Sequence, residues 1–102
     1  MPIDFSIWER RDGSDRRALG EAAFAFCRAI RSRDGIISSR FYWYRTDKVV
    51  FWTEGDEGAF GAQPDAEIAK AGFALADLSR EVMHCRFSEP RLGEEAYRTA
   101  GR

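Results

Sequence analysis

Residues 41–52 read Phe41-Tyr42-Trp43-Tyr44-Arg45-Thr46-Asp47-Lys48-Val49-Val50-Phe51-Trp52, and six of these twelve positions are aromatic. Over the whole chain the aromatic share is 14%. A polar stretch from Arg45 to Lys48 divides two β-prone runs, which is the pattern of a hairpin. A strand with one wet face alternates apolar and polar residues, but these runs are apolar on both faces. The hairpin therefore needs cover on two sides. That restricts the chain to folds that lay helices on one side of a sheet and bring something else to the other.

The flanking segments supply the helices and the remaining strands. Residues 3–9 alternate, with Ile3, Phe5 and Ile7 pointing one way and Asp4, Ser6 and Trp8 the other, so they read as a strand. Asp12-Gly13-Ser14-Asp15 is a turn that ends in a helix cap, with Ser14 as the acceptor and Asp15 favoured by the positive helix start. Residues 15–33 form a helix whose stripe is Leu19, Ala22, Ala23, Phe26, Cys27 and Ile30. Arg28, Arg31 and Arg33 read as a solvated face near its C-terminus, where the dipole favours cations. Asp34-Gly35 stops the helix, with Gly35 in the left-handed region.

Ile36 to Tyr44 and Val49 to Glu54 are the hairpin strands. A turn at Thr46-Asp47 pairs Tyr44 with Val49. One face then carries Ile37, Ser39, Phe41, Trp43, Val50 and Trp52, and the other Ile36, Ser38, Arg40, Tyr42, Tyr44, Val49 and Phe51. A three-residue loop shifts the pairing by one and exchanges the partners. Residues 55–64 read as a loop with three glycines. It lacks the Lys-Ser/Thr of a phosphate cradle, and Asp56 and Glu57 repel phosphate. Phe60 is its one aromatic residue, read as a peg to the body or a gate over a pocket.

Asp65 caps a second helix with the stripe Ile68, Ala71, Gly72, Leu75, Ser79 and Val82. Gly72 inside it costs up to ~1 kcal/mol relative to Ala, which a tight helix–sheet approach or space kept beneath the helix would justify. His84 to Glu89 reads as a short last strand that Pro90 ends. Residues 1–89 thus form one domain, and residues 90–102 a C-terminal tail with a helical turn at Glu94 to Arg98, docked by Tyr97. The order strand, helix, strand, strand, helix, strand is the α+β, ferredoxin-like βαββαβ pattern: a four-stranded antiparallel sheet with two helices on one face. The opposite sheet face, left bare with large apolar residues on it, is expected to dimerise.

Formal net charge is −1, from 16 basic and 17 acidic residues, which argues against a general nucleic-acid binder. No apolar run reaches the ~18–20 residues of a membrane span. The start, Met1-Pro2-Ile3-Asp4, has no leader pattern, so a cytoplasmic protein with Cys27 and Cys85 reduced is expected.

Arg33-Asp34-Gly35-Ile36-Ile37-Ser38-Ser39-Arg40-Phe41-Tyr42-Trp43-Tyr44 resembles the helix-to-strand crossing of the dimeric α+β barrel superfamily, the antibiotic-biosynthesis-monooxygenase-like proteins. The similarity spans residues 3–89 and rests on element order, length and the two-faced hairpin. It implies two such sheets packed face to face as a homodimer. Members of that superfamily include cofactor-independent monooxygenases, haem-binding or haem-degrading proteins, peroxidase relatives, muconolactone isomerase-like enzymes and stress-response proteins, and fold alone does not choose among them.

Two readings of function follow. In the first, the protein binds a small apolar or aromatic molecule without a cofactor, and Trp8, Arg40, Tyr42, Trp43, Trp52 and Phe60 are the candidate ligand-binding residues. The three tryptophans come from three strands expected to lie near one another. In the second, it is a cofactor-independent or haem-dependent monooxygenase-like enzyme, with His84, the single histidine, as general base or haem ligand. A third reading, a purely structural interaction module, predicts no cavity between sheet and helices. One histidine and two distant cysteines give no metal-site spacing. Asp56-Glu57 and Glu94-Glu95 sit in polar segments where strongly perturbed carboxylates are not expected.

Overall fold

The structure is a computed structural model that describes residues 2–61 and 63–87. The expected tail turn at Glu94 to Arg98, the docking of Tyr97, the Glu94-Glu95 pair and the strand end at Glu89 lie outside the described residues. Seven elements follow one another: β1 (Ile3–Arg10), α1 (Arg16–Arg31), β2 (Ile36–Trp43), β3 (Lys48–Gly55), α2 (Glu57–Gly61), α3 (Ala66–Leu78) and β4 (Ser79–Phe87). The strands form one antiparallel sheet in the order β2-β3-β1-β4. This is the ferredoxin-like α+β arrangement, with α1 and α3 packed on each other over one sheet face.

Local chemistry explains the helices. The cap of α1 is Asp15, whose carboxylate accepts from the Arg17 N–H at 3.1 Å. Ser14, expected to take that role, instead donates its hydroxyl to the carbonyls of Arg11 and Leu78, tying the β1–α1 turn to the end of α3. Asp65 caps α3 by accepting from the Ile68 N–H at 2.9 Å. Leu19, Ala23 and Cys27 of α1 are buried with Leu75 of α3 and with Val49 and Phe51 of β3, and Phe26 stands edge-on to Phe51. Residues 55–64 are not all loop, since Glu57–Gly61 winds one short helix.

Gly35 follows α1 at φ +89°, where a side chain would be strained. Its carbonyl comes so close to Gly55 that a Cβ there would stand 2.7 Å away. The two glycines let the α1–β2 turn cross the end of β3, next to α2.

Two boundaries differ from the sequence expectation. First, β4 begins at Ser79, so Ser79 and Val82 belong to a strand rather than to the helix, and His84 lies mid-strand rather than at a helix end. The helix ends there because Ser79 turns extended, its N–H and hydroxyl both going to the Leu75 carbonyl. Pairing with β1, reinforced by Arg80 on Glu9 at 3.1 Å, then holds the next residues in the sheet. Second, the hairpin closes with three loop residues, Arg45 to Asp47. Trp43 pairs with Val49, Tyr42 with Val50, Phe41 with Phe51 and Arg40 with Trp52, in place of the Tyr44–Val49 pairing. Arg45 adopts φ +68°, an uncommon conformation for a non-glycine residue, and no local signal announces it.

The slip redistributes the faces. Ser39, Phe41 and Trp43 now share the helix side with Thr53, Phe51 and Val49, whereas Arg40 and Tyr42 share the open side with Trp52 and Val50. Ile37, at the irregularity between Ile36 and Ser38, is exposed. In β1, Asp4, Ser6 and Trp8 face the helices, so its apolar residues Phe5 and Ile7 look away from them.

The expected solvated arginine face is also revised. Arg31 donates to the Ser39 carbonyl at 2.8 Å, and Arg33, just past the helix, donates to the carbonyls of Ala59 and Gln63. These bonds fasten the end of α1 to β2 and to the α2 segment. Gly72 does not mark a tight helix–sheet approach. A methyl there would meet Phe26 of α1 at 3.7 Å, which is ordinary contact.

Candidate functional site

A cavity of about 230 Å3 lies on the helix side of the sheet. Its walls come from every layer around it: Ile30 and Arg33 from α1 and its exit, Ile36 from β2, Ala59 and Phe60 from α2, Pro64, and Ile68 from α3. Its polar corner is made by Asp4 of β1 and Thr53 of β3, which are direct partners across the two strands. The helices leave this room because α3 packs on α1 and only lightly on β4.

Asp4 is a junction. His84 Nε2 donates to Asp4 Oδ1 at 2.6 Å, and Arg86 Nε donates to the same oxygen at 3.3 Å. Asp4, His84 and Arg86 share the helix face because Asp4 opposes Arg86, and Ser6 opposes His84, in the β1–β4 register. The Arg86 guanidinium in turn lies over the Phe60 ring, 4.9 Å from its centre. Thus Phe60, the aromatic residue of the α2 segment, is tied to β4 at the rim of the cavity.

Behind Thr53 a line of hydroxyl and thiol groups runs into the core. Thr53 Oγ1 and Ser39 Oγ share a buried hydrogen bond of 2.9 Å, and Ser39 also bonds the Cys27 side chain. Burial pushes the Cys27 thiol above its ordinary value of 9.0; the Ser39 bond and the nearby Arg31 charge act the other way and are outweighed. A protonated, buried thiol is a structural group here rather than a nucleophile. Cys27 and Cys85 are both free.

The residues singled out in the sequence fall into three places. Phe60 lines the cavity, and His84 reaches it through Asp4. Arg40, Tyr42 and Trp52 lie on the open sheet face, where Trp52 meets Phe5 edge-on with ring centres 6.2 Å apart. Trp8 and Trp43 pack against the core: Trp8 stands edge-on to Phe51 and donates its Nε1–H to Ser6 Oγ, and Trp43 lies 4.0 Å beneath the Arg16 guanidinium. The three tryptophans therefore do not converge, because the hairpin register puts Trp43 and Trp52 on opposite faces. Asp4, Thr53 and Arg86 escaped sequence reasoning. The one available signal was Asp4, an acid that shares a strand face with Trp8. Among the described residues no group of three or more His, Cys, Asp and Glu is placed to hold a metal ion, and no helix is long and apolar enough to cross a membrane.

Comparison with known proteins identifies the fold. No family sequence model matches the chain, and no curated protein matches it by sequence. Solved structures do match. SnoaB, a cofactor-independent oxygenase from Streptomyces nogalater, superimposes with a TM-score of 0.70 at 18% identity, over 86% of this chain and 92% of that one. A protein from Nitrosomonas europaea proposed to be an antibiotic biosynthesis monooxygenase gives 0.72 at 10% identity, over 87% and 98%. A dimeric protein of unknown function and ferredoxin-like fold from Bacteroides fragilis gives 0.59 at 16% identity, over 84% and 94%. At these identities the likeness is one of architecture, and this chain has the ferredoxin-like fold that the antibiotic-biosynthesis-monooxygenase-like structures share.

Proposed function

We propose that the chain is a homodimeric protein that binds a small apolar or aromatic molecule in the cleft between sheet and helices. The observation that carries this reading is the cavity of about 230 Å3, with largely apolar walls and polar side chains at Asp4, Thr53 and Arg33. Such a combination is what a small-ligand site needs: apolar area for affinity and a few placed polar groups for orientation. Calorimetric titration of a panel of small aromatic compounds tests it. Binding is expected with the wild type and is expected to disappear in Ile68→Phe, which fills the cavity, with a thermal melt confirming that the variant is folded. Equal binding by the filled variant would place the ligand elsewhere.

The dimer is supported by the open sheet face. Tyr42, Met83 and Phe87 are 53%, 44% and 45% exposed there, beside the half-buried Phe5, Ile7, Val50 and Trp52. Two copies meeting through this face would remove from water a patch too apolar for an ordinary monomer surface. Light scattering coupled to size exclusion is expected to give twice the chain mass, and a clean monomer at micromolar concentration would refute it.

A second reading, a cofactor-independent oxygenase, is favoured by one further observation. With Nε2–H donating to Asp4, Nδ1 is the basic atom of the neutral ring. An activated methylene compound would lose a proton to that base, and its carbanion would reduce dioxygen. One oxygen atom would then enter the substrate as a carbonyl and the other leave as water. General-base catalysis of this kind contributes about 10²–10⁴ in rate, so His84→Ala should cut oxygen uptake on such a compound by at least about a hundredfold. Undiminished uptake would remove His84 from the chemistry. Haem is not part of this reading, because His84 is not among the residues that line the cavity. The cavity of about 230 Å3 also suits a small molecule rather than a group as large as a haem macrocycle.

A further inference from the structure

We infer that the cavity selects molecules carrying a neutral hydroxyl donor, received by the free oxygen of Asp4 and oriented by Thr53; this rests on the cavity being the ligand site proposed above. Both side chains that bond Asp4 use one oxygen. His84 Nε2 and Arg86 Nε each donate to Oδ1, at 2.6 Å and 3.3 Å, and Oδ2 receives nothing from the described residues. A carboxylate has acceptor capacity on both oxygens. Asp4 lines the cavity with its side chain only 26% exposed, so a molecule filling that space would cut the remaining oxygen off from water. A ligand without a donor then leaves a charged acceptor unpaired, whereas one with a donor gains a charge-assisted bond.

Thr53 narrows the geometry. It stands opposite Asp4 across the β1–β3 ladder, and its hydroxyl is held by Ser39, which is itself backed by Cys27. The pair therefore presents one carboxylate oxygen and one anchored hydroxyl to the same corner. Charge narrows the class. Arg86 bonds Asp4, and Arg33 forms part of the cavity wall. The Arg86 guanidinium on Asp4 and the Arg33 side chain in the wall oppose an ammonium ion, so the donor is a neutral group, for which we take the hydroxyl. The remaining wall of Ile30, Ile36, Phe60 and Ile68 is apolar. The ligand class is thus a small alcohol or phenol whose body is otherwise apolar.

The test uses two probes with the same body, 1-naphthol and 1-methoxynaphthalene, the second lacking the donor. In calorimetric titration of the wild-type protein, 1-naphthol is expected to bind at least about tenfold more tightly, the worth of a hydrogen bond to a charged group. In Asp4→Asn that preference is expected to shrink to within about threefold, because the uncharged amide no longer penalises a ligand without a donor. If the wild type binds both probes equally, the hydroxyl selectivity is overturned and the cavity remains a ligand site. If Asp4→Asn keeps the full preference, Asp4 is not the acceptor and the inference is likewise overturned. If neither probe binds, the cavity reading and this inference fall together. The wild-type comparison decides the matter even where the variant does not fold.

Discussion

The helix side of the sheet has two unlike halves. Over β2 and β3, α1 presses down a closed core, and Leu19, Ala23 and Val49 have no exposed surface. Over β1 and β4 the cover thins, because α3 spends its contacts on α1. There His84 and Arg86 face the helices and each bonds Asp4, beside Ser6 and the core-packed Trp8. One half is held by apolar volume, and the other carries a hydrogen-bonded cluster on Asp4, at the edge of the cavity that Asp4 shares with Thr53, Ile36 and Ile30. A sheet this small can carry a site only where its packing is incomplete.

Four substitutions can break or sharpen that contrast. The largest effect belongs to the closed half: Leu19→Ala, at a position fully buried, should cost about 2–5 kcal/mol in denaturant unfolding. A loss under 1 kcal/mol would mean that the core is looser than its burial implies. Next comes the boundary between the halves. Ser39→Ala strands the buried Thr53 hydroxyl and should cost about 1–3 kcal/mol. Isosteric repair with Ser39→Ala plus Thr53→Val should recover much of that loss, and no recovery would show that the hydroxyl pair is not the source.

Two smaller effects follow. Gly72→Ala should stabilise by up to about 1 kcal/mol, since helix propensity favours Ala and the added methyl meets Phe26 at an ordinary 3.7 Å. A destabilised variant would show that α1 and α3 are packed more tightly than described. The smallest effect is in the open half. His84→Ala should change stability by less than about 1 kcal/mol, because a half-exposed side-chain pair contributes little. A cost as large as that of Leu19→Ala would erase the distinction between the halves.

Much of the framework could be read in the sequence because it is encoded locally. The α1 stripe, the Asp65 cap and the turn at Gly35 each depend on residues a few positions apart, and the structure has all three. What escaped depends on distant pairing. The start of β4 was hidden because Ser79 and Val82 continue the helical spacing of Leu75, and only contact with β1 decides otherwise. The hairpin register was hidden because Thr46-Asp47 carries no strong turn preference and nothing in the sequence marks Arg45 for a positive φ. The corner of the cavity was hidden for a similar reason. Asp4 and Thr53 are far apart along the chain and meet only through the β1–β3 ladder. Phe60 and His84 drew notice as a lone aromatic in a polar stretch and a lone histidine, but their tie through Asp4 and Arg86 is tertiary.

The loop Arg45 to Asp47 acts as a parity setting for the whole molecule. Its odd length decides which aromatic residues of the hairpin are spent inside the subunit and which are left for the outside. Deleting one residue would demand the opposite assignment, sending Tyr42 inward and Phe41 and Trp43 outward, unless a compensating irregularity absorbed the step. Amino-acid changes within the loop are therefore a lesser hazard to the chain than a change in its length. Three loop residues, outside the lining of the cavity, govern both what the subunit shows to a neighbour and what it keeps around its core.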